Sequence, residues 1–221
     1  MSPRDPLAAE RLAAMRRSYE RAGLDARDLA ETWREQLERW LDDAQRDGIL
    51  EPNAMILATA GADGAPAART VLLKGLDDRG LVFHTNADSR KGRHLADNPR
   101  AAIVFPWHEL QRQVLVTGAT APIAPEDSDR YWASRPRGSQ FGSAASHQSQ
   151  VVASRQVVEE RFAALDRAHP GDSPIPRPPH WGGVRVAPDT VEFWQGRPNR
   201  VHDRLRYRRT GERWIVERLE P

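Results

Sequence analysis

Met55-Ile-Leu-Ala-Thr-Ala60, Ala67-Ala-Arg-Thr-Val-Leu-Leu-Lys74 and Leu81-Val-Phe-His-Thr85 are separated by Gly61-Ala-Asp-Gly64 and Asp77-Asp-Arg-Gly80. Each run is short and largely apolar and stops at turn formers, so three strands joined by tight turns are predicted. A meander of this kind implies an antiparallel sheet or barrel. Residues 101–105, 113–118, 184–186, 191–194, 200–208 and 214–219 read as further strands, with Pro106-Trp-His turning after the first of them. Helices flank these strands. Leu29, Trp33, Leu37, Trp40, Leu41 and Ala44 recur at helical spacing behind Asp28 as N-cap, and Gly48 suits the C-terminal end. Pro125-Glu-Asp opens another helix, and 154–169 a third with Val158, Phe162 and Leu165 as its buried stripe. Residues 141–150 read as a polar loop and 170–179 as a stiff, proline-rich connector. The class is mainly β with flanking helices (α+β). Residues 1–27 read as a mobile arm or a short helix, and 28–221 as one domain.

Composition narrows the chemistry. The chain has 221 residues, 33 basic and 31 acidic, for a net charge of +2. No broad basic field is expected, which argues against a nucleic-acid partner. Cysteine is absent, so disulfides, thiolate metal sites and cysteine nucleophiles are excluded. The seven histidines show no metal-ligand spacing. No run is long enough for a membrane span, and the expectation is a soluble cytoplasmic protein.

Three places carry candidate chemistry. Ser89 suits the N-cap of a short helix, which puts Arg90 and Lys91 in a first turn where the helix dipole is already positive. A bound phosphate would turn that mismatch into attraction; two solvated side chains are the alternative. Tyr131 and Arg135 share one helix face that runs into Arg135-Pro-Arg-Gly-Ser139, either a second small-anion site or a helix end dressed with arginine. Val191-Glu-Phe-Trp-Gln-Gly-Arg-Pro-Asn-Arg-Val-His-Asp-Arg204 reads as a hairpin whose return strand sets Arg200, His202 and Arg204 on one face. That face needs something anionic or electron-rich opposite, with Trp194 a possible stacking surface, or is simply solvated.

Ten blocks, in order, add a resemblance. Arg69-Thr-Val-Leu-Leu-Lys74, Ser89-Arg-Lys91, Phe105-Pro-Trp107, Arg112-Gln-Val114, Ser134-Arg-Pro-Arg137, Gln148-Ser149, Trp181-Gly-Gly183, Glu192-Phe-Trp-Gln-Gly196, Arg200-Val-His-Asp-Arg204 and Arg218-Leu-Glu-Pro221 resemble the pyridoxine/pyridoxamine 5′-phosphate oxidase family over nearly the whole chain. The resemblance implies a split β-barrel homodimer with FMN in the clefts between subunits. It implies oxidation of pyridoxamine or pyridoxine 5′-phosphate to pyridoxal 5′-phosphate, with O2 yielding H2O2.

By the same resemblance Arg69, Thr70, Val71, Leu72, Leu73, Lys74, His84, Thr85, Arg90, Lys91, Gln113, Gln148, Ser149, Trp194 and Arg204 would contact FMN. Arg69, Arg90 and Lys91 would take its phosphate. Lys74, Tyr131, Arg135 and Ser139 would hold the substrate phosphate, and Arg200, Val201 and His202 would lie at the substrate ring, with Arg200 and His202 as the catalytic pair. Arg16, Arg17, Ser18 and Tyr19 match a segment that can close over the substrate. Three positions depart from the pattern: His84 stands where Tyr or Phe is common, Ser18 where an acid is usual and Ala144 where Trp is usual. A flavin or deazaflavin-dependent reductase on the same barrel and a non-catalytic binder of flavin or pyridoxal phosphate are the competing readings.

Overall fold

The structure, a computed structural model, describes Ala14, Tyr19 and residues 23–221. Arg16, Arg17, Ser18 and most of the arm expected over 1–27 lie outside the described residues. The first long helix, α1, is Trp33–Arg46, and Thr32 closes a capping box with Glu35. The N-cap expected at Asp28 is therefore corrected: Asp28 ends a 3-10 turn, Ala26–Asp28. Tertiary bonds explain the shift. Ala30 donates its N–H to Gln36 Oε1 at 2.8 Å, and its carbonyl accepts from Tyr207 Oη at 2.6 Å, so both backbone groups are spent outside a helix. Trp33, Leu37, Trp40 and Ala44 are buried along one stripe, and Gly48, at φ +81°, ends the element as expected.

The strands β1 (Ala54–Ala60), β2 (Pro66–Leu72), β3 (Gly75–Asp77) and β4 (Gly80–Asn86) form the expected meander, with β3 an unforeseen short addition. Helix α2 (Arg90–Asp97) follows Ser89, whose hydroxyl caps Gly92 N–H. Then come β5 (Arg100–Trp107), β6 (Arg112–Pro122), α3 (Pro125–Ser134), α4 (Arg137–Ala145), α5 (Arg155–Ala168), β7 (Trp181–Gln195), β8 (Asp203–Thr210) and β9 (Arg213–Arg218). All neighbours pair antiparallel, in the order β2-β1-β5-β6-β7-β4-β3, with β8 on β7 and β9 on β8. Strand β2 returns into contact with β4, so the sheet curls into a split barrel. Its interior is closed by Leu57, Ile103, Phe105, Val116 and Phe193, against which α1 lays Leu37 and Trp40.

Several local expectations change. Residues 184–186 and 191–194 belong to one strand, because Asp189 is accommodated as a bulge beside the Gly118–Pro188 pair rather than as a turn. The strand before Pro106 runs on to Trp107. Residues 141–145, expected in a loop, are helical; Phe141 is buried against Trp132, Ile175 and Trp181, and Ala145 is buried too. The stripe of α5 is only partly buried.

Candidate active site

Strand β4, the loop before β3, helix α2 and the α3–α4 corner surround a cavity of about 400 Å³. Lys74, Lys91 and Arg135 supply cations to its wall, and no lining residue is a carboxylate. Three rings cluster beside it, and Tyr131 and Trp181 are themselves 6.1 Å apart with planes at 9°. His84 stacks on Tyr131 with centroids 4.0 Å apart and planes at 26°, and on Trp181 at 5.1 Å and 17°. Gly183, opposite His84 in the β4–β7 register, leaves room for the His84 ring: a Cβ there would stand 2.3 Å from Ile123 Cδ1 and 3.0 Å from His84 Nε2. The Arg135 guanidinium lies 4.7 Å from the Trp181 ring centre and donates to Ser143 Oγ at 2.9 Å.

Polar capacity in this wall is unspent. Arg135 Nη1, Thr85 Oγ1 and both His84 ring nitrogens are buried without a partner. An orphaned buried donor costs about 1–3 kcal/mol, which a ligand acceptor recovers. Burial pushes the His84 pKa down to about 4, with Arg135 and Lys74 adding to the effect, so the ring is a neutral plate at physiological pH. Burial, then Arg69, lowers the pKa of Lys91, whose Nζ reaches Gln148 Oε1 at 3.1 Å. Burial, then Arg90, does the same to Arg69. These are cations held together with too little negative charge, the setting a phosphate completes. The donor set fits FMN and a phosphorylated substrate.

The remaining predicted residues sit elsewhere. Gln113, Trp194 and Arg204 occupy one row across β6, β7 and β8. The His202 ring lies 4.7 Å from Trp194, and Tyr19 packs edge-on to both at 5.6–5.8 Å. His202 Nδ1 accepts from Arg197 N–H at 3.1 Å, which leaves Nε2 to carry the proton of the neutral ring. Arg204 is already bidentate to buried Glu192, at 2.7 and 3.1 Å. The strand expected from residue 200 begins at Asp203; Arg200 lies in a 3-10 turn, exposed, at φ +63°. Arg200, His202 and Arg204 therefore do not share a pleat face. None of Gln113, Trp194, Arg200, His202 and Arg204 lines the cationic cavity.

The first set is more compact than its spacing implied. Strand β2 stops at Leu72, which frees Lys74 to turn into the cavity, and Arg135 caps α3 rather than continuing the face of Tyr131. Thr70, Val71 and Leu72 line the wall, while Leu73 is buried in the barrel core. Ser139 is exposed in the first turn of α4, and Ser149, at φ +71°, lies in a neighbouring hollow with Gln148. Sequence reasoning missed Trp181 as a stacking plate and the polar contacts of Ser143. The signal for Trp181 was its position before Gly182-Gly183, small residues that leave room beside the ring.

Residues 41–166 match the family profile described as pyridoxamine 5′-phosphate oxidase, and 181–221 match the pyridoxine 5′-phosphate oxidase C-terminal dimerisation region. A pyridoxine/pyridoxamine 5′-phosphate oxidase of Thermosynechococcus vestitus is 56% identical over 96% of this chain and 99% of its own. That of Frankia alni is 55% identical over 95% and 88%. Among solved structures, PhzG from Burkholderia lata in complex with tetrahydrophenazine-1-carboxylic acid is 33% identical, with a TM-score of 0.85 over 93% of this chain and 100% of that one. A pyridoxamine 5′-phosphate oxidase-related, FMN binding protein of Nostoc punctiforme shares the fold, with a TM-score of 0.70 at 19% identity over 88% of this chain and 100% of that one. With near-complete coverage at this level of identity, the chain belongs to the pyridoxine/pyridoxamine 5′-phosphate oxidase family.

Proposed function

We propose that this protein oxidises pyridoxamine or pyridoxine 5′-phosphate to pyridoxal 5′-phosphate, with FMN as cofactor. The observation that carries the reading is the carboxylate-free cavity holding Lys74, Lys91 and Arg135 beside Tyr131. A ring bearing a phosphate dianion satisfies such a wall; a neutral ring does not. Bound FMN supplies the two-electron acceptor and passes the electrons to O2, giving H2O2. The alcohol substrate yields the aldehyde directly; the amine yields an imine, and water releases ammonia from it. Lys74, Tyr131, Arg135 and Ser139 hold the substrate phosphate, and Arg69, Arg90 and Lys91 hold that of the cofactor. Fixing both phosphates orients the reacting carbon, which is the largest service the protein provides here.

The hairpin row lies outside the cavity, so a site containing both sets draws Gln113, Trp194, Arg200, His202 and Arg204 from a second copy of the chain. The match of 181–221 to a dimerisation region supports this homodimer. There Arg200 clamps the substrate ring, His202 bonds its substituents, and Arg204 offsets negative charge on the reduced cofactor. Tyr19, on Trp194 and His202, is the described residue of the segment that closes the site. Residues 28–221 act as one unit and 1–27 as the lid, in the cytoplasm.

The test is a peroxide assay on FMN-loaded protein. Peroxide and pyridoxal phosphate in equal amounts, with the phosphorylated vitamers but not with pyridoxine, are expected; no peroxide with either phosphate ester overturns the reading. The likeness to PhzG motivates a second reading, in which a reduced phenazine carboxylate is the substrate. With Lys91 on the cofactor phosphate, a single carboxylate leaves Lys74 and Arg135 under-compensated. Turnover of tetrahydrophenazine-1-carboxylic acid above that of both phosphate esters would favour it.

A further inference from the structure

Thr59 is a hydroxyl in an inward-facing position. Strand β1 buries Met55, Leu57 and Thr59 in alternation, and Thr59 retains only 4% of its exposure. Its oxygen accepts from Arg69 Nη1 at 2.8 Å. It also stands 3.3 Å from His94 Nδ1, on helix α2. The hydroxyl has one proton, so with Arg69 donating to it, that proton is free for a neutral His94 nitrogen. A second Arg69 bond, from the same nitrogen to Leu57 O at 3.1 Å, fixes the guanidinium from β1.

The bridge joins two pieces of one anion site. Arg69 comes from β2, Arg90 and Lys91 from the first turn of α2; burial, and then a neighbouring like charge, lowers the pKa of Arg69 and of Lys91. Unconstrained, the flexible Arg69 side chain would swing away from Arg90 and Lys91. We propose that Thr59, assisted by His94, is a positioning residue that holds Arg69 beside the α2 N-terminus and so prepares the phosphate pocket of the cofactor. The inference rests on the FMN reading above and deepens it. Thr59 is not among the residues that line the cavity and its side chain reaches Arg69 and His94, so its effect is expected at the phosphate end.

Riboflavin, which has the same ring system and no phosphate, separates positioning from general stability. Binding of FMN and of riboflavin to the apoprotein is titrated by quenching of flavin fluorescence. Thr59→Val keeps shape and removes the hydroxyl; it is expected to weaken FMN binding about tenfold, the worth of one hydrogen bond to a charged group. Riboflavin binding stays unchanged, and Thr59→Ser restores FMN affinity. Should Thr59→Val fail to fold, His94→Leu on the helix surface is expected to show the same FMN-only loss at about threefold, as a weaker neutral contact. Equal losses for FMN and riboflavin, or no loss for FMN, overturn the proposal. A wild-type protein that binds riboflavin as tightly as FMN would instead overturn the phosphate pocket itself.

Discussion

The cationic cavity and the hairpin row are both rich in arginine and aromatic rings, yet their charges are in opposite states. In the cavity Arg135 has a buried nitrogen without a partner and no carboxylate in the wall. In the row Arg204 is gripped by Glu192, and that hydrogen bond raises its pKa further. The first region is incomplete without an anion. In the second, Arg204 is already held in place by Glu192, and the row offers rings, shape and the exposed Arg200. The proposed function puts a phosphate in the first and a flat, weakly charged ring system against the second.

Four variants break or sharpen that contrast. Arg135→Leu should raise KM for the phosphorylated substrate about a hundredfold, as two charge-assisted bonds disappear, while the protein still binds FMN. Steady-state peroxide release measures it, and an unchanged KM would mean the cavity does not hold the phosphate. Arg200→Leu is expected to lower kcat/KM about tenfold or more in protein that stays yellow; wild-type turnover would remove Arg200 from the reaction. Arg204→Ala leaves Glu192 buried and unpaired. It should cost about 1–3 kcal/mol in denaturant unfolding, and Glu192→Gln in the same chain should restore part of this.

The smallest effect concerns His84. Its folded pKa of about 4 lies below the ordinary 6.5, so between these values the unfolded chain binds more protons and stability falls as pH drops. Tyr131 stacks on His84 and Lys74 and Arg135 face it, with no acid to reverse that sign. His84→Phe, which keeps the stack, should lose less Tm than wild type across this window, by about 2–4 °C in thermal scans. Parallel pH profiles for the two proteins would show that His84 is not held neutral.

Local signals were read best. Ser89 caps α2 because the cap and the first turn are decided within four residues, and the meander from Met55 to Thr85 follows period and turn chemistry. Residues 141–145 were misread because their glycine and serine content has weak helical propensity; packing of Phe141 on the Trp132 cluster overrides it. Arg200 was misread because a left-handed arginine cannot be told from a strand residue by spacing. Of the candidate site, the cationic half was legible as residue types. Its partition from the hairpin row was not.

The sequence alone determined the strand-rich class, the cap that aims Arg90 and Lys91, and, through ten ordered blocks, the family. These rest on near neighbours along the chain or on patterns that survive in one dimension. Only the tertiary structure decided that the His84, Tyr131 and Trp181 rings cluster, that Arg204 is paired with Glu192, and that Thr59 joins Arg69 to α2. Each joins strands or helices distant in sequence, and whether a buried charge is free or paired depends on what folding brings beside it.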